Sequence, residues 1–389
     1  MRKAPTIKVL NGDAQKLLKS KKDLGGPFHA VFCDPPYGLG YHDEGWDSAD
    51  TIALKKGFWK LVMPLLHPGA FGIAFSHPRT FHRLAVAIED AGFIIHPMIF
   101  GWLKTQGMPR ATNISKQIDR MFGVERVKVG EMVTNTGLTG NNFGRHGAHS
   151  TGVIDVTESG SVLGTHWEGH RYGRVALTPS VEPMIVFQKP YPKKRKPLES
   201  MMLTGAGALN CEGARKPDGG WPTSVIVAEH QSGTEECPSA HLGDRAKLFN
   251  QFGFDEVERR LGEEDPLKDV PRPSTAEKTA GLPEGARPHP TSKPLALTTH
   301  LAKLLLPPDL YAPRKILNPF MGAGSEAIGA VLGGWEHVTG IELDPVWCSN
   351  AKRRVVYYYK RMREEESKTS TPGQTDLVEA IEAKKSEAS

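Results

Sequence analysis

The sequence predicts an α/β protein with a mostly parallel sheet, and three observations carry that expectation. Continuous apolar runs such as Ala30-Val31-Phe32-Cys33 read as strands covered on both faces. Amphipathic stretches such as "PRTFHRLAVAIEDAGF" alternate with them and read as crossover helices. Acids and glycine-rich turns follow the strand ends, where open α/β sheets bind ligands. At 389 residues the chain is long enough for one large domain or two ordinary ones.

Taken in order, "TIKVLNGDAQKLL" reads as strand, turn at Asn11-Gly12, and helix. "FHAVFCDPPYG" reads as a buried strand running into a loop. "TIALKKGFWKLVMPLLHPG" has helical spacing and is expected to stop at Pro68-Gly69. "AFGIAFSH" is a further strand, the helix after it ends at Gly92, and "IIHPMIFGWLK" is the next strand. Residues 104 to 180 are rich in Gly, Thr, Asn and His with weak periodicity. "EPMIVFQKP" restores a strand, followed by the cationic "YPKKRKP". "TSVIVAEH" is a short strand candidate, and the stretch from about Gly262 to Pro288 has the composition of a surface linker. "KPLALTTHLAKLLLPP" is a helix. "RKILNPFMGAGSEAIGAVLGGW" then gives strand, glycine loop and helix, and "EHVTGIELDPVWCSNAKRRVVYYYKRM" gives strand, acidic turn and helix. After Arg363 the tail is polar and reads as disordered or loosely helical.

Composition narrows the classes. Hydrophobic residues make up 39% and charged residues 24%, as in an ordinary globular enzyme. No apolar run approaches the length of a membrane span, and the N-terminus lacks a signal-peptide core, so a cytoplasmic protein is expected. A net charge of +5 suits a polyanionic partner without requiring one. The cysteines at 33, 211, 237 and 348 form no C-x-x-C pair. Cys211 and Cys237 with His230 and His241 match no standard zinc spacing, so no metal is expected.

Two strand ends carry chemistry. In the first, Phe320-Met321-Gly322-Ala323-Gly324 follows the strand at Ile316-Leu317, and Glu342 ends the next strand about twenty residues on. Glycines let the backbone turn and approach a ligand, and an acid at that distance accepts hydrogen bonds from ribose hydroxyls. The pair reads as a nucleoside-binding unit, although the loop is F-x-G-x-G rather than G-x-G-x-x-G and lacks the phosphate-loop lysine. In the second, Asp34-Pro35-Pro36-Tyr37 sets a carboxylate at the C-terminal edge of the sheet. Two prolines remove N–H donors and leave carbonyl acceptors, and Tyr37 adds a flat face. Two acceptors beside an aromatic suit the exocyclic amine of a planar base.

This combination resembles the catalytic motif of amino-methyltransferases that use S-adenosyl-L-methionine on adenine N6 or cytosine N4. "HPTSKP" at 289 to 294, "NPFMGAGS", "GIELDP", "NGDA", "EPMIVFQKP" and "GALNCEGAR" match further segments of that family. The likeness covers about 1 to 104, 180 to 230 and 285 to 360. With D-P-P-Y first and the glycine loop last, the order resembles the β group of DNA amino-methyltransferases. The resemblance implies a Rossmann-like methyltransferase sheet, circularly permuted, with an inserted target-recognition region. Residues 1 to 190 would be the catalytic half with an insert at 105 to 180. Residues 191 to 285 would be target-recognition region and linker, 286 to 362 the donor-binding half, and 363 to 389 a disordered tail. The family's Asp before P-F is Asn318 here, and its Thr after the second glycine is Ser325.

The resemblance also implies roles. Asp34 and the Pro35 carbonyl would accept from the target amine, Pro36 would stiffen the loop, and Tyr37 would stack on a base taken out of the duplex. Phe320, Gly322 and Gly324 would line the methyl donor and Glu342 hold its ribose. Asp13 would meet its adenine, and Thr291 and Lys293 would shape its methionine end. Lys193, Lys194, Arg195 and Lys196 are candidates for phosphate contacts, against the alternative of a solvated charge run. Asn141, Asn142, Arg145 and His146 are further DNA-contact candidates. The expected partner is double-stranded DNA; a homodimer is compatible with the family, and nothing in the chain bears on a partner nuclease. Adenine N6 is favoured because Asp opens the motif, with cytosine N4 the alternative. An RNA adenine methyltransferase and an inactive DNA-binding relative follow. A cytosine C5 enzyme would need a Pro-Cys nucleophile, which is lacking, and a protein glutamine methyltransferase would carry N-P-P-Y.

Overall fold

A computed structural model describes residues 4–40, 47–103, 110–134, 152–177, 180–215, 219–229, 250–253, 273 and 275–369. The chain divides into two compact units, one formed by 1–105 with 181–389 and the other by 106–180.

The larger unit is a helix–sheet–helix sandwich. Its strands are β1 (Thr6–Asn11), β2 (Phe28–Cys33), β3 (Leu66–Phe75), β4 (Ile94–Leu103), β9 (Val181–Gln188), β10 (Val225–Glu229), β11 (Asn250–Gly253), β12 (Lys315–Asn318) and β13 (His337–Glu342). The four strands numbered between β4 and β9 belong to the smaller unit. Among the described residues the sheet order is β1-β13-β12-β2-β3-β9-β4-β10-β11. All neighbours are parallel except β9, which runs antiparallel to both β3 and β4. The centre of the sheet is therefore a seam between the chain's two ends. Leu317 of β12 pairs with Val31 of β2, and β2 pairs in parallel with β3 on its other side.

Alternation along β2 explains both layers. Ala30 and Phe32 join a core packed by α8 (Leu295–Leu304), α9 (Ser325–Gly333) and α10 (Pro345–Thr369). Val31 and Cys33 join the opposite core, packed by α1 (Ala14–Ser20), α2 (Lys56–Val62) and α3 (Phe81–Asp90). Every residue of β2 is buried, as its unbroken apolar run predicts. Each fully buried large side chain, such as Trp59 or Tyr358, contributes about 1.5–3 kcal/mol by leaving water.

Two expectations are corrected. The helix expected to run to Pro68-Gly69 ends at Val62, and a single 3-10 turn follows over Met63–Leu65. Pro64 has no N–H to continue the α-helical ladder, so Pro68 and Gly69 instead lie within β3. The expected linker is folded from Thr275 onward: α7 (Thr275–Thr279) buries Glu277. Its carboxylate accepts from the Leu295 N–H, and its carbonyl accepts from Arg354 and Tyr358. The polar tail, expected to be disordered or loosely helical, is helical as far as Thr369, and 370–389 lie outside the described residues. Between these regions, α6 (Pro197–Thr204) follows the cationic run, and "TSVIVAEH" does supply β10.

The smaller unit is ordered without much apolar periodicity. It pairs β5 (Arg110–Asn113) with β8 (Arg171–Val175), and β6 (Val127–Thr134) with β7 (Gly152–Glu158). Its helices are α4 (Ile114–Phe122), capped by Asn113, and α5 (Val162–His166), capped by Ser161. Its interior is polar. Buried Asp119 accepts from Ser159 at 2.8 Å, Ser161 at 2.6 Å and Arg126 at 2.6 Å. These bonds, Ser161 foremost, hold its carboxyl below the usual range. Arg126 also reaches Glu168 at 3.1 Å and the Thr157 carbonyl at 2.9 Å. A buried charge held this fully is tolerated.

Helices α8 and α9 approach closely where Gly329 faces Thr298. A Cβ at Gly329 would stand 2.5 Å from the Thr298 carbonyl carbon, which is backbone and has little room to move. Gly329→Ala is expected to lower stability by about 1–3 kcal/mol, read as a fall in urea midpoint with unchanged slope.

Candidate active site at the C-terminal edge of the sheet

Parallel strands deliver their C-terminal ends to one edge, and the charged residues collect there. Between β12 and β2 the connections leave in opposite directions, α9 toward β13 and α2 toward β3. This is the switch point at which open α/β sheets form a crevice. Asn318 ends β12 and Asp34 follows β2 on the two sides of it.

Asp34 is the hub of a buried network. Lys293 Nζ donates to Asp34 Oδ2 at 2.5 Å and to the Tyr37 hydroxyl at 3.1 Å, and it lies 3.2 Å from Glu182 Oε1. The Tyr37 hydroxyl sits 2.7 Å from Asp34 Oδ1 and 2.9 Å from Glu182 Oε1, donating to one at a time. The Lys293, Glu182 and Asp34 side chains are only 6%, 9% and 16% exposed, so water screens these charges weakly. The Lys293 ammonium also lies over the Phe75 ring, 4.9 Å from its centroid. Burial, then the Asp34 carboxylate, raises the Tyr37 hydroxyl well above its ordinary value, so it remains a donor. Downstream of the prolines, Asp47 accepts from the Gly38 and Leu39 N–H groups at 2.7 and 3.2 Å and fixes the loop.

The glycine loop is held from two sides. Glu342 Oε2 accepts from the Gly322 N–H at 2.7 Å, and its Oε1 accepts from the Asp344 N–H at 2.9 Å. Burial raises the Glu342 carboxyl despite these bonds. Arg354, buried in α10, donates to the Ala323 carbonyl at 2.6 Å. Gly322 and Gly324 have φ of 48° and 81°, a left-handed backbone that glycine adopts without strain. Phe320 packs on Phe58 with ring centroids 4.9 Å apart, so it supports the loop from the core side. Asp344 is a turn residue, accepting from the Val346 and Trp347 N–H groups.

Asp13 also reaches this edge, since the adjacent Gly12 N–H donates to the Glu342 carbonyl at 2.8 Å. One Asp13 oxygen is used to cap α1, accepting from Lys16 at 2.8 Å. Thr291 contacts His289, which stands edge-on to Trp347 at 4.6 Å between centroids. Burial lowers His289 to about 4, so it is neutral at pH 7. Lys293, expected at the donor's methionine end, is an interior partner of Asp34.

The cationic run goes elsewhere. Met184 of β9 pairs with Phe75 at the site edge, whereas Gln188 pairs with Phe71 and Ile94 toward the other edge. Lys193, Lys194, Arg195 and Lys196 follow Gln188, so the structure sets them at the edge away from Asp34. Asn141, Asn142, Arg145 and His146, and Cys237, His230 and His241, lie outside the described residues.

Sequence reasoning missed Glu182, Glu326, Arg354 and Asp47. Glu182 had a signal, an acid opening the strand "EPMIVFQKP"; the others had none apart from the fold. Glu326 lies in the first turn of α9, 4% exposed. Burial, then the neighbouring Asp34 carboxylate, raises it to about 8.

The model of a family described as a DNA methylase matches residues 28–353. No curated protein matches in sequence. Among solved structures, M1.HpyAVI in complex with SAM is 15% identical, covering 90% of this chain and 100% of its own, with a TM-score of 0.42. PvuII DNA methyltransferase, cytosine-N4-specific, is 11% identical over 92% of this chain and 95% of its own, with a TM-score of 0.43. TTHA0409 of Thermus thermophilus, complexed with S-adenosyl-L-methionine, is 15% identical over 92% and 96%, with a TM-score of 0.37.

Two outcomes follow from the electrostatics. Lys293→Met strands buried carboxylates and is expected to cost about 3–5 kcal/mol by chemical denaturation, with Asp34→Asn in the same chain recovering part of it. Glu326 favours the fold while protonated. Its contribution is complete below its unfolded value of 4.5 and is lost as pH rises through about 8. Glu326→Gln is therefore expected to gain on the wild type between about pH 5 and 8, read as diverging urea midpoints.

Proposed function

The chain belongs to the DNA methylase family of the N6/N4 amino-methyltransferase type, and from that premise we propose that it methylates adenine N6 in double-stranded DNA. The observation that carries this reading is the Asp34 carboxylate beside the Pro35 carbonyl and the Tyr37 ring, at the switch point and next to the glycine loop.

The methyl donor of this chemistry, S-adenosyl-L-methionine, fits the residues present. Gly322 and Gly324 leave backbone uncovered in the turn, Glu342 is the carboxylate that would hold the ribose, and buried Asn318, Ser325 and Glu326 carry polar atoms that no protein group satisfies. When bound it supplies an electrophilic methyl group, whose bond to sulfur breaks as the bond to nitrogen forms.

The protein's task is to make a poor nucleophile competent. The lone pair of an aromatic amine is delocalised into its ring. Asp34 and the Pro35 carbonyl, each accepting one amine hydrogen, favour a more tetrahedral nitrogen aimed at the donor. Each Asp34 oxygen already accepts one donor, from Lys293 or Tyr37, and has a second lone pair for the substrate. These bonds prevent the carboxylate from rotating. Asp34 then stabilises the positive charge that grows on nitrogen and takes the proton that nitrogen releases, directly or through water. Tyr37, its hydroxyl tied down, offers a fixed ring face to a base that has left the stack.

Asp at the first motif position supports adenine over cytosine. Methyl transfer from labelled S-adenosyl-L-methionine to unmethylated duplex DNA tests the reading, with the product digested to nucleosides and identified by mass spectrometry. N6-methyladenine is expected, with a loss of at least about 100-fold in Asp34→Ala. N4-methylcytosine would keep the mechanism and overturn the base. Transfer only to RNA, or to nothing, would overturn the DNA reading.

A further inference from the structure

The roles above leave Glu326 without one. It directly follows the glycine loop, its Oε1 has no hydrogen-bond partner, and both side-chain polar atoms of Asn318 and the hydroxyl of Ser325 are equally unmatched. These residues are 4%, 2% and 2% exposed. Each buried polar atom left unmatched costs about 1–3 kcal/mol, so a cluster of them is rare unless something else completes it. This cluster lies at the switch point, where a ligand would do so.

The charges around Glu326 sharpen the point. Asp34 and Cys33 face it from β2 and the loop after it, as does Tyr37; Lys293 faces it from the segment before α8, and Arg354 from α10. The Asn318 amide also faces it, outside hydrogen-bonding geometry. Lys293 is committed to Asp34 and Glu182. Arg354 donates from Nη1 and Nη2 to the carbonyls of Ala323 and Glu277, its Nε has no partner, and it forms no ion pair with Glu326. Glu326 is thus a carboxylate with no cation of its own, on the first turn of a nine-residue helix. Its position also complements one of the loop's two departures from the motif it resembles: the acid expected at 318 is an amide.

We propose that Glu326 receives the α-ammonium group of the methyl donor, supplying from α9 the carboxylate that Asn318 lacks. This rests on the methyltransferase reading. The free enzyme holds Glu326 largely protonated at pH 7, because burial and Asp34 both oppose its charge. An ammonium beside it reverses that balance, so donor binding releases a proton and tightens as pH rises from about 6 to 7.5. Lys293, which already favours the ionised form, is present in both states and does not generate the change.

Calorimetric titration of the full-length protein with S-adenosyl-L-methionine, in buffers of differing ionisation enthalpy, reads the proton directly. At pH 7 release of nearly one proton is expected. S-adenosyl-L-homocysteine, which keeps the ammonium but not the sulfonium, should release the same. 5′-Methylthioadenosine, which lacks the amino-acid portion, should release none. Glu326→Gln should abolish the release and weaken donor binding by about 10- to 100-fold. Asn318→Asp combined with Glu326→Gln should regain most of that affinity. Glu326→Gln binding with wild-type affinity, or releasing the same proton, would overturn the proposal, as would equal release with 5′-methylthioadenosine. No binding of S-adenosyl-L-methionine by the wild type would instead overturn the methyltransferase reading, and this inference with it.

Discussion

One buried ammonium joins the two ends of this chain. Lys293 reaches Asp34 across 259 residues of sequence and Glu182 from a third segment, and all three meet at one edge of one sheet. Sheet contacts alone would bring β2 beside β12, but they would leave the Asp34 carboxylate free to rotate and uncompensated in a half-dry crevice. The lysine removes both problems. It lowers the cost of keeping two carboxylates close, and with Tyr37 it fixes the plane in which Asp34 presents its remaining lone pairs. The pair is weak as a source of stability, since taking three charges out of water costs about what their attraction returns. Its value lies in orientation.

The charge sum of the crevice follows from the same group. Asp34 and Glu182 share the single ammonium of Lys293, so this cluster holds one more carboxylate than cation, and the carboxylates of Glu342 and Asp344 lie along the same edge. Such a site suits a cationic donor and a neutral base. It repels phosphate. Electrostatic attraction for the polyanion must then come from cations remote from the crevice. The run at 193 to 196 does not lie along the same edge, because antiparallel β9 carries the chain back across the sheet before it begins.

Much of this is legible in the sequence for a definite reason. Strands buried on both faces leave apolar runs, so β2 and the second half of β3 can be read directly, β12 and β13 are marked by the glycine loop and the acid that end them, and the residues following all four inherit a place at the ligand edge. Asp34, Tyr37, Gly322, Gly324 and Glu342 emerge that way. What is illegible depends on contacts between distant segments or on polar interiors. Lys293 reads as a residue at the donor's methionine end, and nothing in the sequence names its partner 259 positions away. Glu277 reads as linker because its partners, Leu295, Arg354 and Tyr358, are spread over two later helices. Residues 104 to 180 read as weakly periodic, and among the described ones Asp119 and Arg126 form a buried ion pair that no periodicity announces. The helix expected to end at Pro68 fails on local chemistry, since Pro64 is the earlier and stronger stop signal.

Splitting the site between the chain's ends is compatible with stability because the sheet depends on adjacency and not on order. The register makes the point concrete. β12 contributes only four residues to the sheet, yet it touches β13 along all four and β2 at two of them. The join between the halves is thus narrow in hydrogen bonds. The cores on either face broaden it: Leu317 packs with Val31 on one side, and Ile316 with Ala30 and Phe32 on the other. A crevice that must open to admit a base and a nucleoside cannot be zipped shut along its length. Short pairing at the switch point, backed by continuous packing beneath it and one ion cluster above it, leaves the edge open while holding its walls in register.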